Sequence, residues 1–188
     1  DAVAAHASAH RNAFGAEPLY ELSYEWRMDS PEQAPGVRGA VVSVHAPCPH
    51  SANFPNLGSR DPSVNRQSLE DIRRSAETAA AFGAGFVVLH PGYTLDVAVP
   101  VDSSRRLTAL ARHAGDAARY IWERGGSICM PGYCETAEYR LRREAATANL
   151  AHAARLCAGE GIELAVENLK LKSSVMRPGI TLVAPVPE

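Results

Sequence analysis

His45, His90 and Glu167 are the residues of this chain whose types and spacing point most directly to chemistry. Each ends a short apolar run: Ala40-Val41-Val42-Ser43-Val44 before His45, Phe86-Val87-Val88-Leu89 before His90, and Ile162-Glu163-Leu164-Ala165-Val166 before Glu167. Two imidazoles and one carboxylate suit Zn²⁺, Mn²⁺ or Fe²⁺, and they leave a coordination position open for water or substrate. Taken singly, a histidine or glutamate at a strand end is commonly a solvated polar cap. Here the feature recurs in three runs, and each residue is followed by a backbone-shaping residue or an amide: Ala46-Pro47, Pro91-Gly92 and Asn168. The recurrence points to one shared divalent-metal site.

Three further residues are candidates for substrate binding. Glu25 closes an earlier alternating run, Asn168 offers its amide beside Glu167, and Asn56 lies in a long polar segment. Glu163 shares a face with Glu167 but lies lower on the strand. Pro91-Gly92 would let the backbone approach a substrate oxyanion, and a tight turn after a strand explains the pair equally well. His50, His113 and His152 are expected at surface or helix positions.

The elements that must position these groups follow from periodicity. An Ala-rich helix runs from Asp1 to about Gly15, where the glycine stops it. Leu19 to Trp26 alternates, with Tyr20, Leu22, Tyr24 and Trp26 on one face and Glu21, Ser23 and Glu25 on the other. A loop over 28–38 leads to the strand ending at His45, whose nearly continuous β-branched character fits a strand covered on both faces. Residues 48–67 read as a long polar loop. A helix then opens on a Ser68/Asp71 capping box and stops at Gly83. After the strand ending at His90, Asp102 or Ser103 caps a second helix with Leu107, Leu110, Ala114, Ala117, Ile121 and Trp122 on one face. A turn-rich loop over 125–135 precedes a third helix, 136–158, and the strand ending at Glu167.

Sequential strands joined by helices are parallel and adjacent. The fold class is therefore α/β, of the (β/α) TIM-barrel type, in which active-site residues stand at the C-terminal ends of the strands. A closed barrel needs eight strands and about 250 residues. This chain of 188 residues shows four clear strands, a fifth at Ile180–Val183 being bracketed by Pro178, Pro185 and Pro187. It reads as an incomplete barrel holding about strands 2 to 5, with an extra helix and loop inserted before the strand of Glu167.

Composition narrows the function. The apolar fraction of 46% and charged fraction of 21% are those of an ordinary globular domain. A net charge of −2 lacks the electrostatic footprint of a nucleic-acid binder. No apolar run approaches the roughly 20 residues of a spanning helix. The first residues lack the pattern of a signal peptide, so the expected compartment is the cytoplasm, with no membrane partner. Cys48, Cys129, Cys134 and Cys157 include no second close pair of the kind a structural zinc site needs, and they read as free thiols.

Ser43-Val44-His45-Ala46-Pro47 with Asn56-Leu57-Gly58-Ser59, then Val88-Leu89-His90-Pro91-Gly92, then Val166-Glu167-Asn168-Leu169, resembles the xylose-isomerase-like TIM-barrel superfamily. The resemblance runs from about Pro18 to Leu169, which sets off 1–169 as a partial barrel and 170–188 as an atypical tail. It implies either a sugar or sugar-phosphate isomerase/epimerase or an endonuclease IV-like phosphodiesterase acting on abasic DNA. In the nuclease branch the residues matching His45, His90 and Glu167 are zinc ligands. In the isomerase branch the residue matching Glu167 binds Mn²⁺ or a similar ion and acts in proton transfer. Mg²⁺ and Fe²⁺ are further choices of metal.

The sequence departs from the nuclease after Asn168, where Leu169-Lys170-Leu171-Lys172 replaces a Thr-Ala-Gly-type continuation. Nothing after Glu167 matches the ligands that family members take from later strands. The leading expectation is a metal-dependent isomerase or epimerase with a small sugar substrate; the nuclease is the alternative. A third reading is an inactive fragment that needs a partner, such as a homo-oligomer, to cover its open sheet edges.

Overall fold

The computed structural model describes residues 2–28, 30–37, 39–93, 96, 98–102, 104–106, 108, 120–123, 126–129 and 135–167. In order these form α1 (Ala2–Phe14), β1 (Tyr20–Leu22), β2 (Val41–His45), β3 (Asn53–Phe54), α2 (Pro62–Phe82), β4 (Phe86–Leu89), β5 (Val99–Pro100), β6 (Tyr120–Glu123), β7 (Gly126–Cys129), α3 (Ala137–Gly159) and β8 (Glu163–Val166). Short 3-10 turns at Pro31–Gln33 and Pro35–Val37 carry the chain from β1 to β2. The tail from Asn168 to Glu188, with the Ile180–Val183 run, lies outside the described residues.

The main sheet has the order β1-β2-β4-β8, and every neighbouring pair is parallel. Chain order and spatial order agree, so strands that follow one another in the chain are neighbours in the sheet. α2 links β2 to β4, and α3 precedes β8. Val44, Val87, Leu89, Ile72, Ala76, Ala79 and Phe82 are fully or almost fully buried between the sheet and the helices.

The other face of the sheet would line a barrel. One row across it holds Glu21, Ser43, Phe86 and Glu163, fixed by register and by a 2.6 Å hydrogen bond from Ser43 Oγ to Glu21 Oε2. Phe86 is 45% exposed in that row, which is unusual for a parallel sheet, normally covered on both faces.

Several sequence expectations are corrected. β1 is shorter than the alternating run. Tyr24 and Glu25 turn the chain, with Trp26 N–H donating to Ser23 O at 2.9 Å and Glu25 N–H to Ser23 Oγ at 3.3 Å. The aromatic residues still pack inward: Trp26 meets Phe82 edge-on at 6.0 Å.

α2 begins before Ser68. Its N-cap is Asp61, whose side chain accepts from Ser63 N–H at 2.7 Å, and Pro62 takes the first helical position, where its missing N–H costs nothing. Ser68 and Asp71 lie within the helix, each 3% exposed, and bond to the loop beside it rather than to a helix end. Buried polar groups at that spacing imitate a capping box.

Ile121 and Trp122 lie in β6, paired antiparallel with β7, not on a helix. Their β-branched and aromatic character suits a strand, and only Arg124-Gly125 separates the paired Glu123 and Gly126, the length of a tight hairpin. β7 likewise occupies part of the expected 125–135 loop. The second helix is confirmed only at 104–106 and 108; its remainder falls outside the described residues. β3 and β5 add a small antiparallel pair that periodicity did not suggest. Among the described residues no helix is long and apolar enough to cross a membrane.

Candidate metal centre

β2, β4 and β8 are consecutive neighbours in one parallel sheet, so their C-terminal ends emerge along the same edge. Register places Val88 beside His45 on one side and Ala165 on the other. His90 and Glu167 stand two positions further along their strands, on the same face, because side chains alternate. Backbone bonds carry the ladder to this level: Ala46 N–H donates to Val88 O and Glu167 N–H to Leu89 O, each at 2.9 Å.

The three side chains converge. His90 Nε2 lies 2.9 Å from Glu167 Oε2, His45 Nε2 lies 3.4 Å from the same oxygen, and the two Nε2 atoms are 3.3 Å apart. The imidazoles meet edge to face at 4.7 Å and 86°. His45 Nδ1 is 3.1 Å from Ala46 O; a proton held there, donated to that carbonyl, leaves the Nε2 lone pair facing the other two groups.

Burial grades across the trio. The His45 side chain is 11% exposed and that of Glu167 is 45% exposed, with His90 between them. Burial holds the His90 imidazole below its ordinary pKa, and the neighbouring His45 adds to this; Glu167 opposes the shift without cancelling it. For Glu167, burial raises the carboxyl, but hydrogen bonds and charge from His90 and His45 outweigh it and leave the pKa low. Near neutral pH the site thus holds a neutral His90 and an ionised Glu167, the forms that ligate metals.

The family profile described as a xylose isomerase-like TIM barrel matches residues 32–130, just over half of the chain. This chain belongs to the xylose isomerase-like TIM-barrel family.

A solved structure of a D-tagatose 3-epimerase-like protein superposes with a TM-score of 0.50 at 18% identity, over 90% of this chain and 51% of that one. A second, from Anabaena variabilis ATCC 29413 and provisionally named a sugar phosphate isomerase/epimerase, gives a TM-score of 0.40 at 16% identity, over 74% of this chain and 35% of that one. The first likeness supports the fold: the chain spans about half of a TIM-barrel relative, consistent with an incomplete barrel. Among curated proteins, none matches the sequence significantly.

The family match includes His45 and His90 but ends before Glu167, which joins them through the pairing of β8 with β4. The donor set fits a divalent ion. One nitrogen from each histidine and one oxygen from Glu167 lie within 4.8 Å of one another, close enough for modest side-chain movement to bring all three onto one ion.

The other candidates are placed differently. Asn56 is fully buried, and its Oδ1 accepts from Tyr93 N–H at 2.9 Å, so that oxygen is engaged by the backbone that follows His90. Glu25 is exposed on the turn after β1. Asn168 lies outside the described residues, as do His113 and Cys134. His50 Nδ1–H donates to Tyr24 O at 3.0 Å, and the His50 backbone N–H donates to Trp26 O at 2.6 Å, tying two loops together. His152 is exposed on α3.

Cys48 and Cys157 are free and buried; burial pushes their thiols up to about 12 and about 11, away from the thiolate form that binds metal. One neighbour of the site escaped the sequence reading. Tyr24 meets His45 edge-on at 6.3 Å and Phe54 at 5.1 Å, forming an aromatic wall beside the buried imidazole. No spacing signal marks it, because the chain reverses at Tyr24.

Proposed function

We propose that this chain carries the metal-binding half of a sugar or sugar-phosphate isomerase/epimerase that moves a proton next to a carbonyl. The observation that carries the reading is the convergence of His45, His90 and Glu167 at the C-terminal ends of adjacent parallel strands in a xylose isomerase-like fold. A Zn²⁺ or Mn²⁺ ion held there would polarise the hydroxy-carbonyl unit of the substrate. His45 and His90, the more buried pair, serve to hold the ion. Glu167 is the most exposed of the three and is ionised near neutral pH, so its outer oxygen is the group suited to take a proton from carbon and return it. The name of the D-tagatose 3-epimerase-like neighbour agrees with this chemistry.

The inner face of the sheet supports activity in a closed barrel, with a further β/α unit or partner chain covering Phe86 and Glu163. Reduced, buried Cys48 and Cys157 suit a cytoplasmic setting.

The endonuclease IV-like reading draws on the same donors, since two histidines and a carboxylate suit zinc. The electrostatics disfavour it: Glu21 and Glu163 are exposed on the face leading to the site, and the net charge is −2, both repulsive to a phosphodiester backbone. Incubation of metal-loaded protein with a panel of ketoses and aldoses in deuterated water tests the choice. Deuterium entering a sugar C–H position, and failing to enter with Glu167→Gln, is the expected result. No exchange, together with chelator-sensitive cleavage of abasic DNA, would replace this reading with the nuclease.

A further inference from the structure

The residues just after His90, Pro91 to Tyr93, are tied to a neighbouring loop. The strand before His90 is fixed on one side by the ladder at Leu89, and immediately beyond His90 the Pro91 O accepts from Leu57 N–H at 3.2 Å. Gly92 has φ of +136°, a conformation that side chains rarely adopt, and it is pressed against the neighbouring loop. A Cβ there would lie 2.8 Å from Leu57 N, 2.9 Å from Asn56 Oδ1 and 3.0 Å from Gly58 N. Two of these atoms are backbone, so the clash could not be relieved by a side-chain swing. Tyr93 N–H then donates to Asn56 Oδ1 at 2.9 Å.

The receiving loop is bolted down in turn. Asn56 N–H donates to Ser68 Oγ at 2.8 Å, Ser68 Oγ donates to Val64 O at 2.7 Å, and Asn149 Nδ2 donates to Leu57 O at 2.9 Å. The loop is thereby tied to α2 and to α3, the two helices that pack on the sheet. Asn56, Leu57 and Ser59 are fully buried, so these bonds are shielded from competing water.

We infer that Asn56 and Gly92 form a lock that sets where the His90 imidazole stands, making Asn56 a positioning residue. The metal-binding consequence rests on the function proposed above; the placement of His90 does not. The lock explains why an asparagine that resembles a substrate ligand in sequence is buried. It also assigns the Pro91-Gly92 pair a packing role: Gly92 admits the close approach of the 56–58 backbone.

Two readouts on the full chain test this. Without metal, the Cε1–H resonances of His45 and His90 should show mutual ring-current shifts, because the rings meet at 4.7 Å. Gly92→Ala and Asn56→Ala should each move those resonances. With Co²⁺ as the probe, both variants should bind at least tenfold more weakly and with altered d–d absorption. Ala76→Gly, a change in the α2 core away from the lock, should lower the melting temperature without moving either readout. Unshifted histidine resonances in both folded variants would overturn the lock, whatever the metal does. Shifted resonances in a chain whose wild type binds no Co²⁺ would uphold the lock and remove the metal reading. If Gly92→Ala does not fold, Asn56→Ala decides alone.

Discussion

Glu167 Oε2 stands 2.9 Å from His90 Nε2, a contact between residues 77 apart in the sequence. It exists because β8 pairs with β4 in a register that brings Leu89 beside Val166 and leaves both side chains one residue beyond the pair. A register shift by one residue would turn Glu167 to the helix face, so the site depends directly on the pairing of these strands.

Asp96 should make stability fall in acid. Its carboxylate accepts from Arg142 Nη1 at 2.7 Å and Nη2 at 2.9 Å, and from Arg60 N–H, tying Asp96 to α3 and to the loop before α2. Burial opposes ionisation, but the Arg142 guanidinium and the other donors outweigh it and hold the pKa below its ordinary value. A lowered carboxyl pKa contributes stability that is complete above the unfolded value of about 3.9 and is lost as pH falls through the folded one. Asp96→Asn should lower stability at pH 7 by about 1 kcal/mol, a figure discounted for solvent screening because Asp96 is 39% exposed and because Arg142 keeps Glu138 at 3.1 Å, and should flatten the acid limb below about pH 4. Denaturant unfolding across pH measures both; an unchanged acid limb would show that the pair contributes nothing.

Thr136 should matter to α3 through its side chain. Its Oγ1 accepts from Tyr139 N–H at 3.1 Å, satisfying one of the free donors of the helix start. Thr136→Ala should cost about 1 kcal/mol, and Thr136→Ser should restore most of it. Thermal unfolding of the two variants checks the pair; equal loss in both would place the effect elsewhere.

The sequence revealed the strands of His45 and His90 clearly, because continuous apolar runs that stop at proline leave little choice of element. It revealed their adjacency for the same reason: a helix between two such runs makes them parallel neighbours. Element starts were harder to read. Pro62 looked like loop until its place at the first helical position was known, and Ser68 with Asp71 looked like a cap because buried polar residues can share that spacing. Ile121 and Trp122 satisfied a helical stripe but paired as a strand, since short apolar stretches fit either period. Asn56 reads as a substrate-binding candidate in a long polar segment, yet it is fully buried through contacts with Tyr93 and Ser68 that no local pattern encodes. Tyr24 beside His45 was hidden by a turn inside an alternating run.

The central claim is that His45, His90 and Glu167 bind one divalent ion together, and calorimetric titration of the chain with Zn²⁺ tests it most directly. One equivalent should bind, and His45→Ala, His90→Ala and Glu167→Gln should each weaken binding by at least about tenfold, or about 1.4 kcal/mol, while the fold persists. A folded wild-type chain that takes up no Zn²⁺, or variants that bind it as tightly as wild type, would contradict the account.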